Sequence, residues 1–202
     1  MKQIKGNIET ELIEKKSKFL TFLLHVETID EVNFHLKEIK KQHPNANHHC
    51  YAYILDNQNV QKSNDDGEPK GTAGIPILEV LKHHNLTNVL CVVTRYFGGV
   101  MLGKGGLIRA YQSSAVYALK KASFYKEAYK SIYTISLTYS LYDSLKYNLT
   151  DKAVIIKETF LEEIIIDFYF LKGTIEKLQT KFSNQLKIIN EKSELIKIDL
   201  QK

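Results

Sequence analysis

Residues 89–119 read VLCVVTRYFGGVMLGKGGLIRAYQSSAVYAL. Val89–Thr94 is an unbroken apolar run rich in β-branched residues, the pattern of a central strand covered on both faces. Gly98–Gly106 holds five glycines and reads as a loop. Beyond it Leu107, Ala110, Tyr111, Ser114, Ala115, Ala118 and Leu119 recur at helical spacing on one face. A strand, a glycine loop and a helix in succession belong to a mixed α+β chain.

Upstream, residues 7–26 alternate apolar and polar about Glu14–Lys18, which predicts a hairpin. Thr28 and Glu31 have capping-box spacing, and Val32, Leu36 and Ile39 carry a helix that Pro44 ends. His48–Leu55 reads as a strand and Asp56–Gly71 as a polar surface loop. Thr72–His83 reads as a short helix with Ile75, Leu78 and Leu81 on one face. Downstream, the basic and polar stretch Lys120–Lys130 separates a second pattern. It comprises a strand (Ser131–Tyr139), a helix with Leu141, Leu145 and Leu149, and strands Ala153–Phe160 and Ile164–Phe170 about the turn Leu161–Glu163. A helix opened by Gly173, with Ile175, Leu178 and Phe182 inward, and a strand near Leu195–Leu200 complete it. That order is βαββαβ, the ferredoxin-like arrangement. A boundary near residues 126–130 therefore gives two domains, 1–126 and 131–202.

The 202 residues are 44% hydrophobic and 25% charged, which excludes wholesale disorder. Eight of the ten glycines fall between Gly67 and Gly106, and the only arginines among 28 basic residues are Arg95 and Arg109. Met1–Lys126 carries 17 basic and 12 acidic residues, whereas Glu127–Lys202 carries 11 of each. This mild excess permits contact with RNA or another polyanion through the first part. The neutral second part is expected to add little to an anion site. No apolar run approaches the roughly 20 residues that span a bilayer, and the N-terminus lacks a signal-peptide core. Cys50 and Cys91 lie in apolar strand-like segments and read as buried reduced thiols. A cytoplasmic protein with no membrane partner is expected.

Two segments carry candidate chemistry. In Asn64–Gly74, Asp65-Asp66-Gly67-Glu68-Pro69 is turn chemistry, and Asp65, Asp66 and Glu68 are weak candidates for a Mg²⁺ or Ca²⁺ site whose spacing does not fit an EF-hand. Gly71-Thr72-Ala73-Gly74 precedes a helix, where Thr72 would cap and free amides would receive an anion. In the second segment, Gly98, Gly99, Gly103, Gly105 and Gly106 let backbone amides approach a ligand, flanked by Arg95, Lys104 and Arg109. Together they would form an anion cradle, one that is neither a Walker A loop nor a Rossmann fingerprint. Glycines that permit tight helix–strand packing explain the segment equally well. His48 and His49 open a strand and face opposite ways, so they do not ligate one ion from there.

Gly74, Ile77-Leu78, Leu81, Leu86, Val92-Val93, Arg95-Tyr96-Phe97-Gly98-Gly99 and Gly103 stand in one pattern. Asp65-Asp66-Gly67-Glu68-Pro69, Gly71–Gly74 and Gly105–Tyr111 stand beside it. The whole resembles the IMPACT family in its bacterial YigZ-type branch. Asn64 in place of Ser and His49 in place of Asn are departures. The resemblance implies an N-terminal domain folded like domain 2 of ribosomal protein S5. It also implies a ferredoxin-like C-terminal domain similar to domains III and V of elongation factor G. Eukaryotic members regulate translation by competing for the activator of a starvation-responsive kinase, a partner system that does not transfer to a bacterial-type chain.

The leading expectation is a non-enzymatic, translation-associated factor that binds RNA or the ribosome, or a protein of the translation machinery, without DNA sequence specificity and without a cofactor. Arg95, Lys104 and Arg109 would contact phosphates and Tyr96 would stack on a base. One alternative is an enzyme acting on a phosphorylated small molecule, with Mg²⁺ on Asp65, Asp66 and Glu68. Another is a protein-interaction module using the acidic turn and Tyr96-Phe97.

Overall fold

The structure, a computed structural model, describes residues 1–200 and contains ten strands and five α-helices there. In chain order these begin with β1 (Gln3–Lys5), β2 (Ile8–Glu14), β3 (Ser17–His25), α1 (Ile29–Gln42) and β4 (His48–Leu55). Next come β5 (Val60–Asn64), α2 (Gly74–His83), β6 (Val89–Tyr96) and α3 (Gly103–Lys121). The last six are β7 (Ser123–Leu137), α4 (Tyr139–Leu149), β8 (Ala153–Phe160), β9 (Ile164–Phe170), α5 (Ile175–Lys181) and β10 (Lys187–Leu200). Two compact units emerge: residues 1–126 with the end of β10 from Ile198, and Glu127–Lys197.

The first unit is built on an antiparallel sheet of order β2-β3-β6-β4-β5. The expected hairpin is β2–β3, turned by Lys15 and Lys16, both at positive φ. β6 lies at the centre, and its alternation divides two cores. Val89, Cys91 and Val93 join the core beneath α2 and α3, while Leu90 and Val92 join Val32 and Ile39 of α1 on the other face. The seven residues expected on the inner face of α3 are its seven buried residues. α1 starts with the expected capping box between Thr28 and Glu31. A short pairing of β1 with Ser123–Tyr125 adds to this unit.

Four expectations need correction. The polar stretch 56–71 is not all loop, because Val60–Asn64 pairs with β4 as an exposed edge strand. α2 buries Pro76, Ile77, Val80 and Leu81, and Ile75 faces out, so its inner face is rotated from the expected one. The glycine loop ends early, for α3 already begins at Gly103. The strand expected from Ser131 begins earlier, because Lys120–Lys130 finishes α3 and opens β7, a 15-residue strand.

In the second unit β7, α4, β8, β9, α5 and β10 follow the expected βαββαβ order, and the strands lie in the order β10-β7-β9-β8. Its core gathers Leu145 and Leu149 of α4 with Ile175, Leu178 and Phe182 against β7 and β9.

Candidate functional site

Strand register decides what surrounds Arg95. Phe19 of β3 and His48 of β4 stand directly opposite it on either side, so the three share one face of the sheet. Tyr96, one residue on, points to the opposite face, where its hydroxyl meets His43 Nδ1 at 2.9 Å. The base-stacking role expected of Tyr96 thus falls on the wrong side of the sheet. Phe97 is the aromatic on the cavity side, 47% exposed.

Arg95 is only 6% exposed and does not reach out for phosphates. Its Nη1 donates to Glu68 Oε1 at 2.7 Å, and its Nη2 lies 3.4 Å from Ser17 Oγ. The guanidinium is sandwiched between Phe19 and Phe97, 5.6 and 5.5 Å from the two ring centres. Glu68 also accepts the Tyr111 hydroxyl at 2.8 Å. Cys50 Sγ lies 3.3 Å from that hydroxyl and 2.9 Å from the Asp65 carbonyl. Burial raises both the thiol of Cys50 and the phenol of Tyr111 far above their usual ranges, and pushes Cys91 up to about 12. Both cysteines are therefore neutral, buried thiols at physiological pH.

The acidic turn serves the fold. One carboxylate, Asp65, accepts the amides of Gly71 (2.8 Å), Ala73 (3.0 Å) and Gly74 (2.8 Å). The positive end of α2 already holds an anion, the chain's own. Thr72, expected as the cap, bonds the Pro69 carbonyl instead, and Ala73 is the N-cap residue. Asp66 accepts the amide of His49 at 2.7 Å and pairs with Lys40 at 3.0 Å. Asp65, Asp66 and Glu68 thus face three different sets of protein donors, and no group of three metal-ligating side chains occurs among the described residues.

This network predicts a two-stage acid response. Burial, the largest cause, holds the His49 imidazole below its ordinary 6.5, against the His43 carbonyl and Asp66. Burial also acts on Asp66, raising it, but the His49 amide and Lys40 outweigh that and hold its carboxyl below 3.8. His49 folds best when neutral, so its contribution is complete above about pH 6.5 and declines as pH falls below it. Asp66 folds best when ionised, so its contribution is lost only below about pH 3.8. Urea midpoints measured from pH 8 to 3 should fall in both windows, and His49→Gln should remove only the upper decline. A profile flat from pH 7 to 5 contradicts this.

Over the Glu68–Arg95 pair lies a cavity of about 550 Å³. Asn47, His48, Glu68 and Arg95 form its polar side, with Pro69, Phe97, Leu102 and Leu107 as apolar walls and Met101, Gly103 and Lys104 at the start of α3. His48 Nδ1 lies 2.9 Å from the Asp66 carbonyl, and its Nε2 stands 3.9 Å from Glu68 Oε1. Asn47 Oδ1 accepts the Phe97 amide at 2.7 Å and so fixes the departure of the loop. α3 starts without a side-chain cap or an acidic residue in its first turn. Its positive end is therefore open beside the cavity, unlike that of α2.

The glycines divide by role. Gly98 packs on the β2–β3 turn, where a Cβ would lie 2.0 Å from Lys16 backbone, and Gly74 packs on Asn64 backbone at 2.6 Å. Gly71 belongs to the turn that Asp65 closes. Around Gly99, Gly103 and Gly105 there is open space, with at most the tip of the Arg109 side chain nearby, and Gly106 sits on Leu102. Arg109 does not join Arg95; it lines a neighbouring cleft of about 220 Å³ with Lys15 and Glu14. Leu102 walls both spaces. Asn47, Ser17 and Tyr111 were not candidates by sequence, and His48 was weighed only as an ion ligand: strand pairing brings Ser17, Asn47 and His48 to Arg95, while Tyr111 reaches Glu68 from α3.

Residues 15–119, which hold every part of this cavity, match the family model of the Impact N-terminal domain. The chain belongs to the IMPACT family. It is 42% identical over 156 residues to the IMPACT family member YvyE of Bacillus subtilis, covering 77% of this chain and 72% of that protein. It is 36% identical over 129 residues to the IMPACT family member YigZ of Escherichia coli, 62% of this chain and 63% of that one. A crystal structure of a hypothetical protein superposes with a TM-score of 0.60 at 26% identity, over 93% of this chain and 95% of that one. The likeness to it thus extends over both units, whereas the family model stops before β7.

Proposed function

We propose that this IMPACT family chain is a non-enzymatic, cytoplasmic, translation-associated regulator that binds single-stranded RNA, free or on the ribosome, at the cavity beside Phe97. A base would enter the cavity and stack on Phe97, and the flanking phosphates would meet Lys104, the open N-terminus of α3, and Arg109 across Leu102. The observation that carries this reading is the cavity itself. It is about 550 Å³, within the usual size of ligand sites, and lies next to the exposed Lys104. Lys104 and Arg109 have no ion pair among the described residues. The 85% exposed Met101 offers a further apolar contact. Kinship to a family whose eukaryotic members regulate translation supports the translational setting. The strand order of the second unit supports a ferredoxin-like domain, and we assign the first to the fold of ribosomal protein S5 domain 2, with domains 1–126 and 131–202. None of the helices among the described residues is long and apolar enough to cross a membrane. The metal-assisted alternative gains nothing from the geometry, since its three carboxylates are each held by protein donors.

Stacking on an aromatic contributes about 1–3 kcal/mol per base. Phe97→Ala should therefore weaken binding of a labelled single-stranded decanucleotide by roughly fivefold or more at low salt. Lys104→Glu should in addition reduce the slope of log affinity against log salt by about 0.7 for each single-strand phosphate it leaves without a cation. If the purified chain neither shifts such RNA nor co-sediments with ribosomes at low salt, the reading fails.

A further inference from the structure

We propose that the second unit holds a site of its own for a run of adjacent phosphate groups, ringed by Lys152, Lys172, Lys177 and Lys181. The site is independent of the RNA reading for the first unit. Between Glu127 and Lys197 the chain has ten lysines and ten carboxylates, so the unit as a whole attracts no anion. Four of those ten lysines nevertheless line one cavity of about 360 Å³.

They come from three parts of the unit. Lys152 precedes β8, Lys172 follows β9, and Lys177 and Lys181 stand one turn apart on α5. The backbone fixes the first two together, since the amides of Leu171 and Lys172 both donate to the Lys152 carbonyl, at 2.7 and 2.9 Å. The ion pairs within this unit belong to other lysines, Lys146, Lys192 and Lys197, and none of the four is ion-paired among the described residues. The carboxylates next to them in sequence, Asp151 and Glu176, form no ion pair with them among the described residues. Neither Asp151 nor Glu176 lines the cavity, and Glu176 is held by the Thr174 hydroxyl and its own amide. Like charges four residues apart on a helix repel, and the four lysines line the cavity with no carboxylate among its walls.

Lysine binds phosphate as a point charge, and four such charges match three or more phosphate charges better than a single phosphate. Phe170 and Leu178 add an apolar wall to which a ring can pack. The chemistry is that of a nucleotide with consecutive phosphates, either a free nucleoside triphosphate or successive nucleotides of single-stranded RNA.

The test uses the full chain in isothermal titrations at low salt with adenosine triphosphate, inorganic tripolyphosphate and a single-stranded RNA decanucleotide. At least one probe should bind saturably, and Lys172→Glu with Lys177→Glu should weaken it at least tenfold. Lys172→Arg with Lys177→Arg should retain the binding, and Lys157→Glu with Lys187→Glu, the same charge change at exposed positions of this unit outside the cavity, should leave it unchanged. Sensitivity confined to the triphosphates assigns a free nucleotide; sensitivity of RNA alone assigns a strand. The four side chains are exposed, so the charge reversals should keep the wild-type urea midpoint. Absence of saturable binding by all three probes, or binding indifferent to the double reversal, overturns the proposal.

Discussion

Arg95→Met should lower the unfolding free energy by about 3–5 kcal/mol, the usual cost of removing one partner from a buried ion pair. The side chains of Arg95 and Glu68 are 7% and 3% exposed, so neither charge has water to fall back on. Without Arg95, the Glu68 carboxylate keeps only the Tyr111 hydroxyl as a close donor, with His48 Nε2 at 3.9 Å. Combining Arg95→Met with Glu68→Gln removes the stranded charge while Tyr111 keeps an acceptor, and should recover at least half of the loss. Urea denaturation of the four proteins closes the double-mutant cycle. If the single and double variants are equally unstable, the cost comes from packing against Phe19 and Phe97, and the ion pair is not the organising contact.

Gly98→Ala should cost about 3 kcal/mol, the upper end of the usual range for an overpacked site. The added methyl would sit 2.0 Å from the carbonyl of Lys16 and 2.5 Å from the amide of Ser17, so backbone must move. Ser17 Oγ is tied both to the Gly98 amide at 3.2 Å and to Arg95, so the shift would reach the ion pair. Gly99 provides the control. Its φ is +81° and no atom lies within 4 Å of where its methyl would stand, so Gly99→Ala meets only the left-handed penalty of about 1–2 kcal/mol. Equal losses at the two positions would remove the packing explanation. Both variants are read by urea denaturation.

What the sequence reveals here follows the strength of its periodic signals. β6 and the buried face of α3 are legible because one is a continuous apolar run and the other repeats at helical spacing over 12 residues. β5 is not, since Val60-Gln61-Lys62-Ser63-Asn64 is polar and owes its strand character to hydrogen bonds with β4. The rotation of α2 is also hidden. Asp65 holds the helix start and Gly74 presses it on Asn64, so long-range contacts, not the spacing of Ile75, Leu78 and Leu81, set the inner face.

The glycine and arginine concentration marks the segment that walls the cavity, but Arg95 stands there as a buried partner of Glu68. Arg95 is scarce and central, but its partner is Glu68, 27 residues away, and no local pattern announces that pair. The distinction between Tyr96 and Phe97 depends on which face of β6 each residue leaves, which only the register shows. The lysines of the second unit escape a running charge count because they come from three separate parts of a neutral stretch.

Under the proposed function, RNA enters the first-unit cavity. The most direct test is ultraviolet crosslinking of a uridine-rich single-stranded RNA to the full chain, with the adducts mapped by mass spectrometry. Adducts at Phe97 or Met101, suppressed in competition with unlabelled RNA, are the predicted result. Reproducible crosslinks that lie wholly outside the cavity and the Phe97–Lys104 segment would contradict it.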